Sequence, residues 1–252
     1  MTNKAALHRG SLLDGIRRRG ELRISVAFSR PPEEGGLPEF YIDPETGRAA
    51  GVVCELGRIM AQDLGVKTRW VDIPWPEHMR ALLTGRVDLL LSYTNTPQRA
   101  LEVEFAGPLL PSQVVALLHK TSPVQKKEDL NAPGQRLGIW HGSSIAAVSK
   151  RLFPLAITEE YSDPASQLKK GKVDACVVDA VTNVFMVRHP NLRLLRDQKG
   201  ALVVLAEEYG HPAIRPGDQR FLNWIDNWLD YHRAQGTIDY WCGTWWESWM
   251  AR

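Results

Sequence analysis

The chain has 252 residues, of which 44% are hydrophobic and 24% charged, so it is a globular protein with length for one large domain or two small ones. Lys and Arg total 31 against 29 Asp and Glu, and this balance gives no reason to expect nucleic acid or an anionic membrane surface as a partner. The three cysteines are too scattered for a disulfide framework, and neither they nor the histidines have metal-ligand spacing. The sequence therefore predicts no metal, no cofactor and, lacking a run of about 18 apolar residues, no transmembrane helix.

The first part of the chain alternates short β-branched runs with amphipathic segments, which predicts α/β architecture. Leu22–Phe28 is predicted as the first strand. Val52–Leu64 is predicted as a helix, because apolar residues recur at helical spacing and Gly65 follows. Lys67–Ile73 is predicted as the next strand. Residues 1–26 lack the apolar core of a secretory signal, so either the protein is cytosolic or a signal has been removed.

Two segments repeat the same order of features. Ala81–Ser92 is ALLTGRVDLLLS and Ser166–Asp179 is SQLKKGKVDACVVD, and each contains a helix end, a glycine, a basic residue, Val-Asp and a buried strand. Gly85 and Gly171 suit left-handed helix C-caps, and the strands that follow are apolar enough to be central. The repeat arises either by chance, since any αβ unit can have this form, or from two similarly built α/β lobes.

Two further strands would join the lobes. Leu109–Lys120 can carry the chain out of the first lobe, and Leu205–Arg215 can carry it back. The predicted fold is therefore α/β and two-lobed, each lobe a central, mostly parallel sheet flanked by helices. Lobe one is discontinuous and comprises residues 1–120 plus 208–252, completed by the C-terminal helices. Lobe two comprises residues 121–207.

Polar residues follow the buried strand of the first repeated unit. Ser92–Arg99 is SYTNTPQR, in which Thr96 and Pro97 predict a helix start, with Thr96 as the N-cap. Free backbone N–H groups there would favour a ligand carboxylate, and Arg99 could add a bidentate guanidinium clamp. The alternative is a surface arginine on a short helix.

The second unit offers two comparable positions. His141–Ser144 is HGSS, which follows a predicted strand at Leu137–Trp140 and precedes a predicted helix at Ile145–Leu152. Its hydroxyl and N–H groups could bind an anion or simply cap the helix. Asp179 ends a strand at the edge where open α/β sheets place ligand contacts, although it could instead cap a helix.

Three stretches, in this order, resemble the polar-amino-acid-binding family of type II periplasmic solute-binding proteins, which is bacterial extracellular solute-binding protein family 3. They are LLDGIRRRGELRISVAF, TNTPQRALEVEFAGPLL and YGHPAIRPGDQRFLNWIDNWLDYHRAQGTIDYWCGTWW, and the resemblance covers nearly the whole chain. It implies the type II periplasmic-binding-protein-like fold and hinged closure around a small amino-acid-like ligand. It also implies a periplasmic or extracellular protein that serves an ABC transporter permease, and we expect a monomer.

The resemblance also assigns the ligand's polar head to residues of both lobes. Arg99 would hold the α-carboxylate, while Ser92 and Thr94 contact the head group from lobe one. Asp179 would bind the α-ammonium. Arg99 and Asp179 would then face each other across the cleft as complementary charges.

Four more residues complete the predicted site. Ser143 and Ser144 would complete the carboxylate site from lobe two. Trp75 lies where family members place a residue against the ligand side chain, although tryptophan is as often a core residue. His141 is a candidate for a further polar contact.

An enzymatic alternative comes from the stretch DAVTNVFMVRHPNL, which resembles the cyclohexadienyl dehydratases, enzymes of the same fold. Their elimination reaction on prephenate or arogenate needs a proton donor, which a positioned carboxylic acid supplies. The dehydratases carry this Glu three residues after the strand-end Asp, where this chain has Thr182. A threonine hydroxyl is too weak an acid for that role, so we expect a binding protein rather than an enzyme.

Overall fold

A computed structural model of the chain describes residues 10–28, 39–180 and 189–250, with side chains described as far as residue 244. Within these ranges the helices are α1 (Leu12–Arg19), α2 (Val52–Asp63), α3 (His78–Leu83), α4 (Ile145–Leu152), α5 (Pro164–Lys169), α6 (Gln219–Ala234) and α7 (Thr237–Met250). The strands are β1 (Glu21–Val26), β2 (Tyr41–Ile42), β3 (Ala49–Ala50), β4 (Lys67–Asp72), β5 (Leu90–Thr94), β6 (Glu104–Phe105), β7 (Leu110–His119), β8 (Arg136–Trp140), β9 (Ile157–Tyr161), β10 (Ala175–Asp179), β11 (Leu192–Leu194) and β12 (Ala206–Ile214). No helix in these ranges combines the length and apolar character needed to cross a bilayer. The predicted α/β class is confirmed.

Lobe one is built on the parallel pair of β1 and β4, paired from Glu21 opposite Lys67 to Val26 opposite Asp72. Buried residues of β1 and α2 form one apolar cluster. Phe221 of α6 packs into the same cluster, although α6 lies near the other end of the chain. Residues from both ends of the sequence therefore share this core.

Two long antiparallel strands connect this region to the rest of the fold. β12 pairs with β7 from Ala206 opposite Val114 to Gly210 opposite Leu110, and Gly210 also pairs with Thr94 of β5. The remainder of β7 pairs with β10, so the sheet order is β5-β12-β7-β10-β8-β9. The two predicted crossing strands agree with β7 and β12 to within one residue at each end.

The sheet of lobe two is buried on both faces. Val177 of β10 belongs to the cluster that contains Ile145 of α4. Its neighbours Cys176 and Val178 belong to the cluster on the other side, which contains Leu168 of α5. Because successive residues of a strand point to opposite faces, a strand covered on both faces is apolar on both, as β10 is from Ala175 to Val178, before it ends at Asp179.

The repeated units form matching structures in the two lobes. Gly85 follows α3 with φ of 75° and Gly171 follows α5 with φ of 68°, as predicted for left-handed C-caps. Each unit then enters its buried strand, β5 or β10. The similarity of the two segments is therefore structural as well as sequential.

The structure corrects the helix predicted to start at Thr96 and Pro97. Only a 3-10 turn forms, at Arg99–Leu101. A longer helix has no room, because the chain must re-enter the sheet at β6, where Glu104 pairs with β12. The predicted cap interaction survives in part, since the Thr96 hydroxyl accepts the Arg99 N–H at 3.2 Å.

Candidate ligand-binding site

A cavity of about 600 Å³ lies where β1, β4, β5, β8, β9 and β10 end, and β7 and β12 form part of its wall. The carboxyl ends of parallel strands are where open α/β sheets bind ligands, because side chains and loops converge there. Seven of the eight predicted ligand-binding residues line the cavity, and these are Trp75, Ser92, Thr94, His141, Ser143, Ser144 and Asp179. The cavity is thus the candidate site, and ligand binding by these residues stays a prediction.

The eighth predicted residue, Arg99, lies next to the cavity and is not among the described residues that line it. Its guanidinium packs 3.9 Å from the ring centre of Tyr93. Nη1 donates to the Thr94 carbonyl at 2.9 Å, and Nη2 donates to the Gly142 carbonyl at 3.1 Å. Burial lowers the pKa of Arg99, but a guanidinium remains charged at neutral pH. Arg99 therefore links β5 to the loop after β8.

The serines of the HGSS loop are held by hydrogen bonds. The Ser143 hydroxyl donates to the Trp140 carbonyl at 2.8 Å. The Ser144 hydroxyl donates to Glu208 at 2.8 Å. Since each hydroxyl has used its hydrogen, its oxygen can only accept a further bond in this arrangement. The loop therefore presents acceptors from these two side chains.

His141 lies at the more exposed end of the same loop. Its Nδ1 is 3.3 Å from a carboxylate oxygen of Glu160, and the Gly142 N–H donates to the same oxygen at 3.2 Å. Gly142 has φ of 75°, a conformation that glycine adopts without strain. This turn carries the Gly142 carbonyl that Arg99 binds.

Asp179 ends β10 as predicted and receives a hydrogen bond from the Ser112 hydroxyl of β7. A second carboxyl group, that of Glu39, lies within the electrostatic field of Asp179. Burial, with a further contribution from Asp179, raises the pKa of Glu39 to about 8, because both disfavour a second negative charge. The protonated form of Glu39 therefore predominates near neutral pH.

Trp75 both packs in the core and lines the cavity. Its ring stacks on that of Phe40, with the ring centres 6.5 Å apart and an interplanar angle of 15°. The ring centre of Tyr93 lies 5.5 Å from that of Trp75. The ring centre of His78 lies 4.9 Å from that of Trp75. Burial lowers the pKa of His78 to about 4, so the ring is neutral and Nε2–H donates to the Ile73 carbonyl at 3.0 Å. These contacts fix the orientation of Trp75.

Several residues that line the cavity were missed by the sequence analysis. Ser112 and Glu208 lie on the predicted crossing strands, where polar residues facing inward were a usable signal. Nothing in the sequence near Glu39 indicates a site, because its neighbour Asp179 is far along the chain. Thr182, the basis of the argument against an enzyme, lies outside the described residues.

The fold is that of the type II periplasmic binding proteins, as the comparison with solved structures shows. The crystal structure of the ancestral amino acid-binding protein AncCDT-1, a precursor of cyclohexadienyl dehydratase, matches with a TM-score of 0.79 and 26% identity. The match covers 93% of this chain and 99% of that chain. The predicted two-lobed fold class is thereby confirmed.

The sequence comparisons give the family. The L-cystine-binding protein TcyJ of Escherichia coli (strain K12) is 22% identical over 235 residues, 90% of this chain and 83% of TcyJ. The cyclohexadienyl dehydratase of Pseudomonas aeruginosa is 24% identical over 241 residues, again 90% of this chain and 83% of the relative. Residues 34–248 match the bacterial extracellular solute-binding proteins, family 3, and the chain belongs to this family. The predicted family is confirmed.

Proposed function

We propose that this protein captures a small amino-acid-like ligand outside the cytoplasm and delivers it to the permease of an ABC transporter. One observation carries the proposal: Asp179 at the end of β10 lines the cavity, and a group of opposite charge, Arg99, lies next to the cavity at the end of β5. The β5 end offers Thr94 with the adjacent Arg99, and the β10 end offers Asp179. A zwitterionic α-amino acid complements this arrangement. The membership of a solute-binding family, and relatives named for amino acids, support it.

Arg99 would bind the α-carboxylate by replacing its hydrogen bond to the Gly142 carbonyl with a hydrogen bond to the ligand. In the structure its Nη2 donates to the neutral Gly142 carbonyl. A carboxylate is a stronger acceptor, because a charge-assisted bond is about twice as strong as a bond to a neutral oxygen. Ser92 and Thr94 would contact the head group from the same side. Asp179 would accept the α-ammonium.

The remaining predicted contacts would come from the HGSS loop and the aromatic wall. Ser143 and Ser144 would approach the ligand from lobe two, with His141 as a further polar contact. Trp75 would lie against the ligand side chain. All four line the same cavity as Asp179, which supports a single site for the whole ligand.

Closure of two lobes on the ligand is the proposed mechanism, with lobe one as residues 1–120 plus 208–252 and lobe two as residues 121–207. β7 and β12 would serve as the hinge, since each strand has residues in the buried clusters of both lobes. The ligand would raise the population of the closed state because it contacts both lobes only there. The permease would then recognise the closed form.

Isothermal titration calorimetry with the proteinogenic amino acids and close analogues tests the proposal. We expect at least one α-amino acid to bind, and Arg99→Ala and Asp179→Asn each to weaken that binding by about 100-fold or more, because each leaves one ligand charge unpaired. Arg80→Ala, which removes an exposed arginine of α3, is the matched control and should bind normally. Failure of every α-amino acid to bind would contradict the proposed function.

The dehydratase alternative is favoured by the similarity to the Pseudomonas aeruginosa enzyme. The charge of the cavity argues against it, because Asp163, Asp179 and Glu208 all line the wall and would repel the two carboxylates of prephenate. Incubation with prephenate or arogenate and detection of an aromatic product decides between the two. Turnover by the purified protein would establish the enzyme and overturn the binding-protein proposal.

A further inference from the structure

The cavity wall carries more negative charge than a zwitterionic ligand requires. Among the described lining residues there is no lysine or arginine, and there are five carboxyl groups, namely Glu39, Asp72, Asp163, Asp179 and Glu208. In the proposed function one of them, Asp179, is sufficient for the α-ammonium. The other four need a separate explanation.

Hydrogen bonds within the protein explain the positions of three of these four carboxyl groups. Each accepts a hydrogen bond of 2.8 to 3.0 Å from another residue, and this bond holds the carboxyl group in the cavity wall. The pairs are Asp72 with the Phe28 N–H, Asp163 with the Ser166 N–H, and Glu208 with the Ser144 hydroxyl. Glu39 differs from them, since the backbone N–H that its carboxyl accepts is its own. That bond ties the carboxyl group to no other element of the fold.

Glu39 is nevertheless fixed at one place in the cavity. Its carbonyl accepts the Val53 N–H at 3.0 Å, at the start of α2. The residue is half-buried and lines the cavity, and its carboxyl group lies in the field of Asp179. The next residue, Phe40, stacks on Trp75. A carboxyl group and an apolar aromatic wall therefore stand side by side.

We propose, on the basis of the function proposed above, that Glu39 selects α-amino acids whose side chain carries an amino or guanidino cation. The α-ammonium would bind Asp179, the methylene stem would pack along Trp75 and Phe40, and the side-chain cation would bind Glu39. Aromatic faces suit such a stem and also attract cations. A ligand with two positive charges offsets the repulsion that an ionised Glu39 would experience from Asp179, which a ligand with a neutral side chain does not.

Binding of such a cation should release a proton. Glu39 with its raised pKa is mostly protonated near neutral pH and would become ionised when the cation binds, so the ligand-bound protein would hold fewer protons than the free protein. Affinity therefore rises with pH until it approaches the pKa of Glu39, by at most about tenfold per pH unit. Asp179 is the charged group that acts on Glu39, and the other titratable groups of the wall are Asp72, Asp163, Glu208 and His141.

Calorimetry with two matched ligand pairs tests the proposal. L-arginine and L-citrulline differ in the charge of the side-chain end group, and so do L-lysine and L-norleucine. In one or both pairs the wild type should bind the cationic member about 100-fold more tightly. Glu39→Gln, which keeps the shape of the side chain, should reduce that ratio to about tenfold or less and leave the affinity for the neutral member unchanged.

Two further measurements sharpen the test. Titrations of the cationic ligand at pH 7 in buffers of different ionisation enthalpy should show proton release in the wild type and none in Glu39→Gln. Glu45→Gln makes the same change at an exposed turn and should behave as the wild type. Thermal denaturation verifies that each variant is folded.

Distinct results would overturn the two proposals. Equal affinity for both members of both pairs, or a ratio that Glu39→Gln leaves unchanged, overturns the role of Glu39 and leaves the amino-acid-binding function intact. If no α-amino acid binds at all, the proposed function fails, and the role of Glu39 fails with it.

Discussion

Each of the two repeated units contains an aspartate that pairs with an arginine of a neighbouring strand, but the two aspartates differ in burial. In lobe one, Asp88 accepts the Arg23 N–H at 2.9 Å and the Arg23 Nη2 at 2.7 Å. In lobe two, Asp174 accepts the Arg136 N–H at 2.8 Å and the Arg136 Nη2 at 2.9 Å. Each arginine belongs to the neighbouring strand of its lobe, β1 or β8. Of the two explanations for the sequence repeat, this shared pattern favours similarly built lobes over chance.

The environments of the two aspartates are very different. The side chain of Asp88 is 0% exposed and also bonds Arg19, whereas that of Asp174 is 38% exposed. Water screens an exposed pair, while a buried charge that loses its partner cannot be solvated. The two aspartate–arginine pairs therefore have similar hydrogen-bond geometry but should contribute differently to the free energy of unfolding. Single substitutions in the two units should separate the effect of burial from that of hydrogen bonding.

The largest effect is expected for Asp88→Ala. This change leaves the Arg23 and Arg19 guanidinium groups without their buried partner and removes an acceptor from a backbone N–H. We expect the free energy of unfolding to fall by about 2–4 kcal/mol, because several charge-assisted hydrogen bonds are lost, while the two arginines, at 33% and 22% side-chain exposure, remain partly solvated. Urea unfolding followed by circular dichroism measures it. A loss no greater than that of Asp174→Ala would mean that burial does not set the energy of this interaction.

A smaller effect is expected for Asp174→Ala. We expect a loss of about 1 kcal/mol, because the pair is partly solvated. The hydrogen bond from Arg136 lowers the pKa of Asp174, so its stabilising contribution is present above the ordinary carboxyl pKa and disappears as the pH falls through the lowered value. The difference in unfolding free energy between wild type and variant should therefore vanish in acid. A difference that persists in acid would exclude an ionic contribution.

The smallest difference between the units is expected at their glycines. Gly85→Ala and Gly171→Ala should each cost about 1–2 kcal/mol, since both positions have positive φ. Gly85→Ala should cost slightly more, because its Cβ would lie 3.3 Å from Nη1 of Arg215, whereas the Gly171 position has open space. Thermal unfolding of both variants compares them. The reverse order would show that the Arg215 contact does not matter.

Much of the fold was predictable because it is recorded locally in the sequence. Val52–Leu64 was predicted and α2 is observed at Val52–Asp63, since helical spacing of apolar residues needs only neighbouring positions. β7 and β12 were likewise predicted within one residue at their ends. The wrong prediction, a helix from Thr96, failed for a non-local reason, because the partner strand of Glu104 limits the length of that connection.

Only those residues of the candidate site that lie at the ends of apolar strands were predictable from the sequence. Ser92, Thr94 and Asp179 were found because their strands are apolar runs that stop at a polar residue, and the structure brings all three to one cavity. The contacts made by Arg99 were not predictable, because its acceptor in the HGSS loop belongs to the other lobe.

By itself the sequence determined the α/β class, the repeated units and the family, because periodicity, turn residues and short motifs are properties of adjacent residues. Only the tertiary structure decided which charges meet. Asp88 became a fully buried partner of two arginines, and Glu39 was placed in the field of Asp179, which is 140 positions later in the chain. Burial and proximity set these energies, and both arise only when distant segments pack together.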